Sequence, residues 1–573
     1  MRWDVQTKLK ANSPQLKAGE LIKTLLVNRG IKDKKTSREF LEPTDPLTGY
    51  QAKLLGLNPA QLKKALARIK KAVKKNEPVV IYGDYDADGI CATAIVWEAL
   101  QKLGAKVIPF IPIREKEGYG LSRDGIDAIK ADPQYGIGGK AKGLLVTVDN
   151  GIVAHEAVSY ARKLGLEVII LDHHEKPARL PKAYAVIHTT KLCSAGIAFF
   201  VSRSLLAPNL SPLATLLELA AIATVTDLVP LTGANRSLVK YGLVALNNTS
   251  RPGLRALFDI AGVKHIGVYE IGFMIGPRLN ASGRIESATT ALQLLCSKDQ
   301  EEARNLAAQL NNTNRDRQTM LAAMSNHALE THNLQLKTAD FREKIIIAEN
   351  ESYHQGVIGL IAGRLVEQYY LPAVVISRGE IISKASARSV AGFNIIEAIR
   401  SCDNLLVNAG GHPMAAGFTI ETEKIAQFRV KIQNWARKRI TPKMLIKTLR
   451  VDGELDIGLI TNELYRQIKA LSPFGVGNPE PVFTAKVSVS SVRTVGTDGK
   501  HLKLIVSPAG NYPLSAVRSF DAIAFNLGYF APKIKPGDQI SLAYTIAEDD
   551  YGGYNRLQLK IKDLHYGGIA EKN

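Results

Sequence analysis

The sequence predicts an α/β protein in several parts: a parallel-sheet domain, a long helix, a second, smaller α/β domain and a C-terminal β-barrel. Three observations carry this. Between residues 78 and 188, short apolar runs alternate with segments of helical period, the pattern of βαβ units. From Glu301 to Leu336 the chain runs without Gly or Pro and is polar on most sides, which suits a helix bridging two domains. Beyond about residue 445, short strand-like runs recur between Gly, Pro and Asn, as in a small barrel.

In chain order, residues 1–50 read as a polar lead-in with one short helical pattern, Gly19 to Gly30. Asn58 to Lys75 is an amphipathic helix, with Leu62, Ala65, Leu66, Ile69 and Val73 inward and lysines over the rest, read as a solvated face. Strands are expected at 78–83, 106–112, 143–148, 167–171 and 184–188, with helices at 91–103, 123–131 and 154–164. Helices at 194–206, 213–226 and 235–247 complete a domain spanning 51–284, and a connecting helix occupies 285–340. Strand 344–348, helix 357–369 and strand 373–377 open the second domain, 341–440. Strand runs at 481–492, 502–507, 519–526, 539–547 and 554–563 define the barrel within 445–573. Phe474, Phe483, Tyr529, Tyr551 and Tyr554 are its candidate stacking platforms.

A chain of 573 residues accommodates three or four domains, and 46% hydrophobic content builds full cores. The 74 Lys and Arg against 54 Asp and Glu leave a net charge of +20, which points to a polyanionic partner. No apolar run approaches the roughly 20 residues of a membrane span. Met1-Arg2-Trp3-Asp4-Val5 lacks the apolar core of a signal peptide, so nucleic acid and a cytoplasmic location are expected, with no membrane role. Cys91, Cys193, Cys296 and Cys402 lie too far apart for a zinc motif or a disulfide framework.

The chemistry gathers at strand ends. Asp84, Asp86 and Asp88 follow the first strand at alternate positions, Asp149 follows the third, Asp172-His173-His174 the fourth, and Asp227 ends an apolar helix. A parallel sheet brings its carboxyl ends to one edge. Carboxylates crowded there repel one another unless cations sit among them, and mixed carboxylate and imidazole ligands around two ions make a hydrolytic centre. A single Asp at such a turn is more often a helix cap. His173 and His174, as neighbours at a strand end, are expected to point apart, one to an ion and one to a phosphate. Farther on, Arg388 and the Gly410-Gly411-His412 turn offer phosphate donors.

Asp84-Tyr85-Asp86-Ala87-Asp88-Gly89, Val148-Asp149-Asn150-Gly151, Asp172-His173-His174 and Asp227, in this order, resemble the motifs of the DHH phosphoesterases. Arg114-Glu115-Lys116-Glu117-Gly118-Tyr119-Gly120-Leu121 and Gly276-Pro277-Arg278-Leu279-Asn280-Ala281-Ser282-Gly283-Arg284 are similar to the RecJ branch. The resemblance covers nearly the whole chain and implies a DHH domain, a DHHA1 domain and an OB-fold. It implies a single-stranded-DNA exonuclease working from the 5′ end with two Mn²⁺ or Mg²⁺ ions. Asp149 would bridge the ions, Asp86 serve one, and Asp88, His173 and Asp227 the other, with Asp84 either a ligand itself or a partner behind the ligands. Asp172 would orient the histidines and His174 contact the scissile phosphate. Arg114, Ser386 and Arg388 would hold the terminal phosphate, while Arg278, Asn280, Arg284 and His412 grip the adjacent backbone. Many members of the wider superfamily carry a His where this chain has Tyr82, which leaves the first ion one imidazole short, to be completed by Asp84 or water. Roles in recombination and mismatch repair, with a single-strand-binding protein and a RecQ-type helicase as partners, are likewise implied by the resemblance; a monomer is expected. Small nucleotide substrates and a non-catalytic scaffold are the rival expectations; the basic charge and the intact acids oppose them.

Overall fold

The computed structural model describes residues 1–7, 10–11, 18–114, 116–118, 120–138, 142–209, 211–336, 343–509, 518–549 and 556–566. The chain divides into two compact units, one of Asp45–Val229 with Ser237–Lys447, the other of Met1–Thr44, Pro230–Arg236 and Thr448–Asn573.

The first unit holds two sheets. Strands β1 (Val79–Tyr82), β2 (Val107–Phe110), β3 (Gly143–Val148), β4 (Leu166–Asp172) and β5 (Ala185–His188) are all parallel and run in the order β2-β1-β3-β4-β5. Every residue of β1 and β3 is buried, because helices cover both faces and the strands are apolar without alternation. The strand order reverses between β1 and β3, the place where an open α/β sheet leaves a crevice beyond its carboxyl ends. The segments leaving β1 and β3 are those carrying Asp84–Asp88 and Asp149.

Helix α1 (Ala87–Lys102) starts four residues before the expected position. Asp86 caps it by accepting from the Asp88 and Gly89 amides, so Asp88 sits in the first helical turn instead of the loop. Gly89 is required there: a Cβ would stand 2.6 Å from the Asp84 carbonyl oxygen. Helices α2 (Ser194–Leu206) and α3 (Leu213–Thr226) are buried almost all round and pack on α1.

The long helix expected over Glu301–Leu336 is present, and a shorter helix fills the start of the connecting segment. Helix α4 (Gly276–Ile285) and a short helix, Thr289–Cys296, precede α5 (Gln300–Leu336). The polar centre of α5 is partly buried, at Asn311, Thr313, Asn314 and Arg317. Buried polar groups need partners, and these have them. Arg278 donates to Asn311 at 3.1 Å, Thr313 to Glu286 at 3.2 Å, and Arg317 to Asn314 at 2.9 Å.

The second sheet has strands β6 (Ile346–Asn350), β7 (Ala373–Ser377), β8 (Ile382–Arg388), β9 (Leu406–His412) and β10 (Ala415–Glu421), in the order β9-β10-β8-β7-β6. Only β6 and β7 are parallel, joined by α6 (Ile358–Tyr369).

In the other unit, strands Phe483–Val495, His501–Pro508, Phe520–Ala524, Gln539–Asp549 and Arg556–Tyr566 close into a five-stranded barrel around Leu504, Phe520, Leu542 and Leu559. The N-terminal stretch belongs to this unit and is no separate lead-in: Arg2–Val5 pairs in parallel with Thr448–Val451, and Leu21 and Leu25 join the barrel's core cluster. Phe483 is core, its inward ring 6.2 Å from Tyr544, so it is no platform; Phe474 is half-buried against the same core, and Tyr529 is exposed. Tyr551 and Tyr554 lie outside the described residues, as do Glu115 and Tyr119.

Candidate metal centre and phosphate-binding arginines

The carboxylates converge at the crevice between β1 and β3. One ligand atom each from Asp84, Asp86 and Asp149 lie within 4.8 Å of one another; the same holds for Asp88, His173 and Asp227, and for Asp149, His173 and His174. Asp149 belongs to two of the three sets. Its backbone is left-handed, with φ of +65°, a strained conformation for a non-glycine residue. Asn150 holds the turn through its side-chain amide, which donates to the carbonyls of Val148, Gly83 and Tyr82 at 2.9, 3.2 and 3.3 Å.

The histidines contradict the expectation that they point apart. Strand β4 ends at Asp172, so the alternation of a pleated strand no longer governs the next two residues. Their ring centroids lie 4.6 Å apart. Asp172 orients only His174, accepting from its backbone amide at 3.1 Å and pairing with its Nδ1 at 2.7 Å, while its other oxygen accepts from the Ile152 amide. His173 instead faces Asp149 at 3.4 Å and Asp88 and Asp227 at 3.7 Å each.

Tyr82 takes no part in the ligand sets. Its ring is buried 5.1 Å from Phe110 and its hydroxyl donates to the Gly120 carbonyl at 3.1 Å. Asp84 stands with Asp86 and Asp149 in its place.

Burial together with like charge sets the electrostatics. Burial, then Asp86, pushes the Asp84 carboxyl up to about 8; burial, then Asp88 and Asp86, does the same to Asp227. Burial, then the neighbouring aspartates, drives Asp149 well above the usual range, and burial raises Asp88. For His174, burial opposes the charged ring, but the hydrogen bond and charge of Asp172 outweigh it and push it up to about 9. Burial lowers His173, which favours the neutral, ligating form. Divalent ions fit this donor set: it consists of carboxylate oxygens and imidazole nitrogens, its acids resist ionising alone, and the buried Asp227 Oδ2 has no hydrogen-bond partner.

Two contributors were not foreseen from the sequence. The amides of Ser194 and Ala195, at the start of α2, donate to the two oxygens of Asp88 at 2.7 and 2.8 Å. The Ser194 hydroxyl donates to Asp149 Oδ1 at 2.9 Å. A serine opening an apolar helix was visible in the sequence; its aim at Asp149 was not.

Beside the acids stands a cluster of arginines. Helix α4 is pressed against the metal loop, since a Cβ on Gly283 would lie 2.1 Å from the Tyr85 carbonyl oxygen, and Asn280 accepts from the Ala87 amide at 2.7 Å. Arg284 follows directly and donates to the Gly356 carbonyl at 3.0 Å. Burial, then Arg114 and Arg317, pushes its guanidinium down to about 10, with Arg388 adding to the effect. Arg388 donates to Ser386 Oγ at 3.3 Å, and Arg114 lies over the Tyr85 ring at 5.4 Å. Thus Arg114, Arg284, Ser386 and Arg388 are brought together. Asn280 and Arg278 are engaged in bracing, Arg278 to Asn311 and to the Met274 carbonyl at 2.7 Å. His412 stands exposed at the tip of the β9–β10 hairpin, paired across to Ala415.

Three family models match the chain: DHH family, N-terminal domain over 78–224, DHHA1 domain over 342–438, and RecJ OB domain over 451–563. The single-stranded-DNA-specific exonuclease RecJ of Bacillus subtilis is 35% identical over 98% of this chain and 70% of its own length. A crystal structure of RecJ from Thermus thermophilus in complex with Mn²⁺ superposes with a TM-score of 0.79 at 29% identity, over 99% of this chain and 80% of that one. The Mg²⁺ complex of the same relative gives 0.75 at 28% identity, over 99% and 79%.

Proposed function

The chain belongs to the RecJ family, and on that premise we propose that it is a metal-dependent exonuclease. It degrades single-stranded DNA from the 5′ end and releases 5′-mononucleotides by phosphodiester hydrolysis, in DNA recombination and repair. The observation that carries this is the sharing of Asp149 between two ligand sets at the switch point of the sheet. In this reading residues 51–284 form the catalytic domain, 341–440 the substrate-binding domain and 445–573 a nucleic-acid-binding barrel.

Asp84, Asp86 and Asp149 hold one Mn²⁺ or Mg²⁺ ion, and Asp149, Asp88, His173 and Asp227 the other. When bound, such ions supply a water acidic enough to attack near neutral pH and offset charge on the phosphate oxygens. The remaining work belongs to side chains. His174, held protonated by Asp172, donates to a non-bridging oxygen of the scissile phosphate. Ser194 and the first amides of α2 keep Asp149 and Asp88 in their ligating rotamers. Arg284, Arg388, Ser386 and Arg114 bind the terminal phosphate, the guanidinium forks matching its oxygens. That pocket sets the polarity, because the scissile bond must lie one nucleotide beyond the anchored end. His412 contacts the backbone from the hairpin tip.

Among the described residues no helix is long and apolar enough to cross a membrane. A cytoplasmic, monomeric enzyme working with a single-strand-binding protein and a RecQ-type helicase completes the reading, on the family's example alone. The deciding experiment offers a 5′-phosphorylated strand of about twenty nucleotides, its duplex and a dinucleotide, with Mn²⁺ or Mg²⁺. Mononucleotides released from the 5′ end of the single strand, and none with Asp149→Ala, is the expected outcome. Cleavage of the dinucleotide alone, or tight binding without cleavage, refutes it.

A further inference from the structure

The chain just before Arg278 carries a surface that the hydrolysis does not use. Val268–Glu270 form a single helical turn and Ile271–Ile275 a π-turn, a rare geometry concentrated at functional sites. The segment buries Ile271 and Ile275 and presents Tyr269 and Phe273, which are 63% and 70% exposed. Their rings are stacked, with centroids 4.8 Å and planes 28° apart. Two large rings left together in water form an apolar face that favours a partner.

The face is anchored beside the metal centre. A Cβ on Gly276 would stand 2.4 Å from Thr226 Cγ2, so the π-turn is seated on the last turn of α3, whose cap is Asp227. The next residue, Leu228, is held at φ of +58° and left 68% exposed. A strained, exposed leucine next to a metal ligand is unfavourable for the isolated fold and fits a contact made with something else. Arg278, expected from the sequence to grip the nucleic acid, instead locks this turn by donating to the Met274 carbonyl at 2.7 Å.

We propose that Tyr269 and Phe273 form a stacking platform for an unpaired base of the strand whose phosphates occupy the metal centre. The inference rests on the reading of the substrate as single-stranded nucleic acid. An aromatic face suits that ligand because every base has a π-face, so stacking is indifferent to sequence. It also selects against duplex, whose bases already have both faces covered by their neighbours. The Arg315 side chain, exposed on α5 within electrostatic range of Arg278, places positive charge close to the same turn.

The test uses the full chain carrying Asp149→Ala, which stops cleavage, and fluorescence anisotropy with a 5′-phosphorylated strand of about twelve nucleotides. A single abasic residue is moved along that strand. One position is expected to weaken binding about 5- to 150-fold, the range for loss of one base–aromatic stack. Tyr269→Ala with Phe273→Ala should weaken the intact strand by a similar factor and lose all sensitivity to the abasic position. Tyr269→Trp should keep both, and all variants should melt with the parent because the rings are mostly exposed. Unchanged affinity in the double variant overturns the proposal, as does weakened affinity that stays sensitive to the same abasic position. Failure here is separable from failure of the proposed function, which is read on the unsubstituted protein: a strand that is degraded while the abasic scan is flat removes the platform alone.

Discussion

Two clusters of like charge lie within one unit of this protein, and they are built to opposite rules. In the metal centre burial, then the repulsion between carboxylates, raises their pKa, up to about 8 for Asp84 and Asp227. Across the Tyr85 loop, burial, then the charges of Arg114 and Arg317 with Arg388 behind them, lowers the Arg284 guanidinium to about 10. The two offset each other only in part: Arg114 draws Asp84 down and Asp86 draws Arg284 up, but burial and like charge outweigh both. Each is unfavourable alone; cations relieve the first, and in the proposed reading phosphate relieves the second. The difference lies in how strain is carried. Aspartates are short, so their positions are set by backbone: a left-handed Asp149, a helix N-terminus for Asp88, a cap for Asp86. Arginines are long, and side-chain and carbonyl contacts hold them instead.

The comparison breaks first at Asp149. Asp149→Ala should lower turnover by about 10³-fold or more, beyond the loss from one stabilising donor, and abolish calorimetric binding of Mn²⁺ to at least one site. Next is the basic cluster. Arg388→Met should weaken binding of 5′-phosphorylated strand by about 100-fold, the loss typical of a buried phosphate partner. It should leave 5′-hydroxyl strand little changed, and the substrate-free protein should melt higher because a like charge is gone. Ser194→Ala should cost 10- to 100-fold in Mn²⁺ affinity, read by calorimetry, while strand affinity holds.

The smallest effect is in pH. In the metal-free protein Asp84 and Asp227 are raised above their unfolded values, so the stability they contribute is complete below about pH 4 and is lost as pH rises through about 8. His174, raised from 6.5 to about 9, adds to the same fall over its own window. Melting in chelator should therefore drop by several degrees between pH 6.5 and 9. Saturating Mn²⁺ should flatten the curve, since bound cations favour the ionised carboxylates.

The kinds of side chain and their order were legible from the residues alone. Apolar runs without alternation announced buried parallel strands, and acids at their ends announced a cation site, because both follow from local composition. Short strand runs at regular spacing likewise announced the barrel. Direction was not legible. That His173 and His174 turn the same way depends on β4 stopping at Asp172; that Arg278 braces a turn depends on where Met274 and Asn311 come to rest. The buried polar face of α5 reads in sequence as a solvent face, since its partners Arg278 and Glu286 are far off in the chain. So is the pairing of Arg2–Val5 with Thr448–Val451. Sequence by itself determined which groups the molecule possesses and which elements carry them. Only the tertiary structure decided which groups meet, because burial, hydrogen bonding and charge act across space and not along the chain.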